Sequence, residues 1–200
     1  LLEINGNTSD AIDNYSKSIG YFQECELYSS LIYSFIYLGM LYTRTSNYKE
    51  AEKNYSKADS TLKRLSESII ELLINSNKIY LKSLLGECTV DECDDIANKL
   101  KIYKDNNELF YEWWLLAKAY YQVDSTTKAL NCQNHAQLLV QKCSEKITDQ
   151  KQRQKVLRVI DKLDKPGFGL KGVEELLKEK RTDASGAITI GAQLDNSKAS

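Results

Sequence analysis

The chain has 200 residues, of which 28% are charged, and its net charge of −1 gives no overall positive footprint of the kind with which proteins grip nucleic acid or anionic membranes. No run approaches 18 apolar residues, and the N-terminal stretch lacks the charged, apolar and small-residue succession of a signal peptide. Five irregularly spaced cysteines then read as reduced thiols in a cytoplasm, with no nucleic-acid and no membrane partner.

One proline, with glycines concentrated late in the chain, favours helix almost throughout. From Thr8 to Leu163 apolar residues recur at spacings of three and four, as amphipathic helices require. The predicted helices are 8–23, 28–45, 48–64, 66–85, 91–103, 107–122, 126–143 and 148–163. The breaks between them ("CELYSS", "TSN", "GECTVDECDD", "KDNNE", "VDSTT") are short and polar, so successive helices lie antiparallel as hairpins. The first residue is Leu1, not methionine, which reads as a segment of a longer protein.

Within the second predicted helix stands Gly39, which costs about 1 kcal/mol relative to alanine in a helix interior. Placing Gly39 over Ala117 exposes an internal repeat. Phe35 then matches Trp113, Leu38 matches Leu116, Tyr42 matches Tyr120, Ala51 matches Ala129 and Ala58 matches Ala136. The copies lie 78 residues apart, twice 39; "LLINSNKIYLKSLL" supplies a degraded middle copy through Tyr80, and Ala11 and Tyr15 precede Ala51 and Tyr55 by 40. Gly39 is therefore read as a packing notch for a neighbouring helix, with Tyr42 and Tyr55 filling the space beside it.

These residues resemble the tetratricopeptide repeat, in the long-repeat form found in large bacterial signalling regulators. The resemblance covers roughly residues 1–163. It departs from the family in period, in the missing closing proline (Lys63 and Gln141 stand there) and in Gln133, which replaces the second-helix aromatic. It implies an all-α, right-handed solenoid of antiparallel helix hairpins, closed by the amphipathic helix 148–163 as a cap. Residues 164–200 follow as a glycine-bearing loop, a short helix and a linker or the start of another domain.

In the family, ligands lie along the surface formed by first helices. Carried onto this chain, those positions are Tyr33, Ile36, Met40 and Thr43, then Ile74, Lys78 and Leu81, then Tyr111, Trp114, Lys118 and Tyr121. Trp113 faces the core by alignment, so its neighbour Trp114 is expected to face elsewhere on the helix, as an interface anchor or against an adjacent helix.

Other candidates have plainer readings. "GFGLKG" (167–172) satisfies the glycine spacing of a dinucleotide turn, yet a basic helix and a proline precede it where a strand is needed. Cys25, Cys88, Cys93, Cys132 and Cys143 form no metal-ligand spacing, and His135 is the sole histidine. "DECDD" (91–95) reads as a helix start stabilised by exposed amides, without the spacing of a calcium loop. No catalytic residue, metal or cofactor is expected.

The expectation for function is a non-catalytic scaffold that binds a protein or peptide, within a larger cytoplasmic signalling or regulatory protein. The alternatives are a sensor segment that gates an attached kinase, ATPase or transcription-regulatory domain, and a structural spacer or oligomerisation arm. Intramolecular contact with flanking domains and homodimerisation through the N-terminal end belong to the same expectation.

Overall fold

A computed structural model describes residues 8–65 and 68–154. Among them the chain is all-helical: α1 (Thr8–Glu24), α2 (Tyr28–Arg44), α3 (Tyr48–Leu62), α4 (Ser68–Leu85), α5 (Val90–Ile102), a 3-10 turn (Asn107–Leu109), α6 (Phe110–Gln122) and α7 (Thr126–Glu145). The predicted bounds fall within a few residues of these. Residues 150–154 are helical, but most of the expected cap 148–163, and all of 164–200 with its glycine loop, lies outside the described residues.

Three of the links share one geometry. Glu26, Ser46 and Asp124 each take positive φ (54°, 58° and 57°) just after a helix. The following N–H reaches back five residues: Leu27 to the Phe22 carbonyl, Asn47 to Tyr42 and Ser125 to Tyr120, each at 2.9 Å. This is a Schellman closure, which satisfies carbonyls that a helix end leaves orphaned. After α4 the same role falls to Gly86 at φ 74°, with the Glu87 N–H donating to the Lys82 carbonyl at 3.0 Å.

The helices pack in sequence, each against the next, and α2, α4 and α6 also touch as a row. One core joins Leu31, Ile32, Phe35, Ile36, Ala58, Ile70 and Ile74, from α2, α3 and α4. A larger one runs from Leu72 and Ile79 of α4 through α5 and α6 to Ala129, Ala136 and Leu139 of α7.

Gly39 is buried where α3 crosses α2. A Cβ built there would sit inside the Tyr55 ring, with Cδ1 and Cζ at 2.7 Å. The absent side chain lets a tyrosine lie flat against the helix backbone. Tyr55 is 1% exposed, and its hydroxyl meets Thr43 Oγ1 at 3.3 Å and Asn77 Oδ1 at 3.4 Å. The single phenol hydrogen goes to Asn77 Oδ1, and Thr43 Oγ1 also donates to the Gly39 carbonyl at 2.9 Å. The packing-notch expectation for Gly39 agrees with this geometry.

Candidate functional site

Of the residues carried over from the family surface, Ile36, Thr43, Ile74, Leu81 and Trp114 are buried. Ile36 and Ile74 belong to the α2–α4 core, and Leu81 packs with Ala51 and Tyr55. Tyr33, Met40, Lys78, Tyr111, Lys118 and Tyr121 are half-buried. Tyr33 stacks on Tyr37 at 6.3 Å, Met40 borders the α2–α4 core, and Tyr121 borders the larger one. Lys78 is committed to Asp59, with Nζ 2.5 Å from Oδ2.

Of the two readings left open for Trp114, packing against adjacent helices is the one that fits, and its place on the binding surface is corrected. Both tryptophans are buried, at 5% and 4% exposure, so neither is an outward anchor. The reason lies in the neighbours: α4, α5, α7 and the 3-10 turn all pack on α6 and leave it no wide free face. Among the described residues the indole nitrogens of Trp113 and Trp114 have no hydrogen-bond partner.

The residues that do come together centre on Lys118. Trp114 lies one turn earlier on α6, hence on the same face. Tyr80 reaches in from α4. The Lys118 ammonium sits 4.3 Å from the Trp114 ring centroid and 4.4 Å from that of Tyr80, between two π faces. Tyr111, a further turn back, packs on Trp114 at 5.4 Å. Burial, with a smaller contribution from the Arg44 charge, pulls the Lys118 pKa down to about 8. The rings favour the cation while desolvation opposes it, so the amine is partly neutral slightly above neutral pH.

Sequence reasoning missed Glu112. It stands in the apolar run "FYEWWLLA", is 5% exposed, and its Oε2 has no partner among the described residues. Burial raises its carboxyl pKa to about 7. A charge inside an apolar run was the signal available in the sequence. Also missed was a cleft of about 840 Å³ between α1, α2 and α3. Its apolar floor includes Leu31 and Phe35, and Lys57 and Arg64 lie over the Phe35 and Tyr28 rings at its sides.

The acidic run begins α5 as expected. Thr89 caps the helix in a capping box with Glu92, and Glu92 also accepts from Lys82 at 2.8 Å. Asp94 does more than cap. It accepts from the Tyr120 hydroxyl at 2.6 Å and from Lys128 at 2.7 and 2.8 Å, tying α5 to α6 and α7 and holding its carboxyl below the usual range. His135 lies edge-on to Trp113 at 4.6 Å, and its Nε2 donates to the Lys104 carbonyl at 3.2 Å. Among the described residues no three metal-ligating side chains cluster, and no helix is long and apolar enough to cross a membrane.

Comparison with known proteins gives a different indication of function. The histidine–tRNA ligase of Pelagibacter ubique (strain HTCC1062) is 67% identical over 55 residues, which is 28% of this chain and 12% of that enzyme. The histidine–tRNA ligase of Rhodopseudomonas palustris (strain TIE-1) is 60% identical over 45 residues, 22% of this chain and 8% of that enzyme. The chain thus spans about a tenth of the length of the curated relatives it matches. No family model matches, and no solved structure does.

These matches overturn the expectation of a non-catalytic scaffold, sensor or spacer in a signalling protein. They also overturn the expectation that the chain is not an enzyme, since both relatives are ligases. The repeat pattern led there because small residues at fixed spacing report how helices pack. Packing is common to proteins with unrelated roles.

Proposed function

We propose that this chain is a region of a histidine–tRNA ligase-related protein, a ligase that joins histidine to tRNA. The supporting observation is the 67% identity over 55 residues with the Pelagibacter enzyme. A stretch of that length buries at most a small core. The complete reaction, with its amino acid and its tRNA, therefore belongs to a longer protein in which this region is one part. The compartment that fits such a protein is the cytoplasm.

For the helices we propose the finer architecture of a right-handed solenoid of hairpins resembling tetratricopeptide repeats. Its support is the recurrent Schellman link, the row α2, α4 and α6, and the 78-residue offset shared by Ser46 and Asp124 with Gly39 and Ala117.

A segment exchange tests the ligase reading. The 55 matched residues of the Pelagibacter enzyme are replaced by those of this chain, and histidine attachment to tRNA is measured. Retention of kcat/KM within roughly tenfold supports the proposal. A chimera that folds and binds tRNA but no longer attaches histidine refutes it.

A further inference from the structure

Cys88 and Cys93 occupy two positions that helix geometry brings together. With Thr89 as the N-cap of α5, Cys88 is the residue before the cap and Cys93 the fourth helical residue. In many helices an apolar pair at these positions closes as a hydrophobic staple beside the capping box. Here both members are thiols, and their Sγ atoms stand 3.5 Å apart. Cys93 is fully buried at 0% exposure, whereas Cys88 is half-buried in the link that follows Gly86.

We propose that this staple is a reversible dithiol–disulfide site, with Cys88 as the attacking thiol and Cys93 as the resolving one. Its reaction partner is a low-molecular-weight disulfide of the glutathione type. A disulfide is about 2.0 Å long, so closure requires about 1.5 Å of approach. Rotation of the Cys88 side chain supplies it, while the Thr89–Glu92 capping box holds the backbone between the two cysteines.

The reaction proceeds by two exchanges. The Cys88 thiolate attacks one sulfur of the small disulfide, whose other sulfur leaves as a thiolate and takes up the proton that Cys88 lost. Cys93 then gives up its proton and attacks Cys88 Sγ, releasing the second small thiol. Two protein thiols are oxidised to one disulfide, and one small disulfide is reduced to two thiols. Burial holds both protein thiols above their ordinary pKa, so closure is slow near neutral pH and quickens as pH rises.

The other three cysteines serve as internal controls: Cys25 is exposed, Cys132 is buried, and Cys143 Sγ is 3.5 Å from the Asn107 carbonyl. The test incubates the reduced full chain with oxidised glutathione at pH 7 and pH 9, quenches with acid, alkylates in denaturant and measures tryptic peptide masses. The peptide 83–99, which holds both thiols, is expected to become two hydrogens lighter, to lose both alkylations, and to regain them after dithiothreitol. Cys93→Ser, and Cys93→Ala as an apolar replacement, should instead accumulate glutathione on Cys88. Cys88→Ser should leave Cys93 unmodified. A wild-type peptide 83–99 that retains both alkylations, or carries glutathione without resolving it, overturns the proposal. So does a Cys88→Ser chain whose Cys93 takes up glutathione as fast as Cys88 does.

Discussion

The hairpins α2–α3 and α6–α7 share a register and solve the same packing problem with different residues. In the first, Gly39 removes a Cβ so that the Tyr55 ring can lie on the helix, where its hydroxyl is satisfied by neutral partners, Thr43 and Asn77. In the second, Ala117 keeps its Cβ, and Gln133 stands sixteen residues later where the first has tyrosine. Both Ala117 and Gln133 are buried. At matched positions, glycine accompanies a ring in the first hairpin and alanine accompanies an amide in the second. The polar chemistry differs as well. The second hairpin carries ionisable groups, Glu112 within the packing and Lys118 between two rings, where the first has hydroxyls and an amide.

The largest effect should come from that ionisable core. The Glu112 carboxyl is raised from 4.5 to about 7, so the folded state binds more protons than the unfolded state between those values. Its contribution is present in full below pH 4.5 and is lost as pH rises through 7. Glu112→Gln should therefore stabilise the chain by up to about 3 kcal/mol at pH 8 and leave it nearly unchanged at pH 4. Urea unfolding at the two pH values checks this, and equal effects at both would refute burial as the cause.

Gly39→Ala comes next. Overlap with a buried ring should outweigh the gain in helix propensity and cost about 2 kcal/mol. Tyr55→Gln copies the second hairpin, so in that background the same Gly39→Ala change should cost far less. A double-mutant cycle with no coupling would break the comparison between notches.

Tyr55→Phe keeps the ring but removes the phenol, leaving Asn77 Oδ1 without that donor. A loss of about 1 kcal/mol is expected in thermal or urea unfolding. The smallest change concerns the links. Ser46→Gly and Asp124→Gly relieve a positive φ and should each stabilise by no more than about 1 kcal/mol, equally if the two links are equivalent.

Much of the helical layout was legible because it depends on local rules. Apolar spacing, the polar links and the acidic start of α5 at "DECDD" are each written within a few residues of one another. Gly39 and its 78-residue relation to Ala117 were legible for the same reason, since a repeat preserves spacing. The fate of the family-surface residues was not. Whether Ile36, Ile74, Leu81 or Trp114 faces outward depends on which further helices cover them, and a one-helix alignment carries no such information. The repeat did not point to the proposed ligase relationship either; that proposal rests on a similarity spanning 28% of the chain.

The sequence by itself determined where helices start and stop, because capping, glycine placement and apolar period act over one or two turns. It also determined that small residues recur at matching places. Only the tertiary structure decided which side chains those notches admit, and that Trp113 and Trp114 are both enclosed. It alone brought Lys118 between rings from two helices, left Glu112 among apolar neighbours, and set two thiols within reach. Those outcomes depend on surfaces meeting across tens of residues, where shape and the loss of water, not local propensity, fix the result.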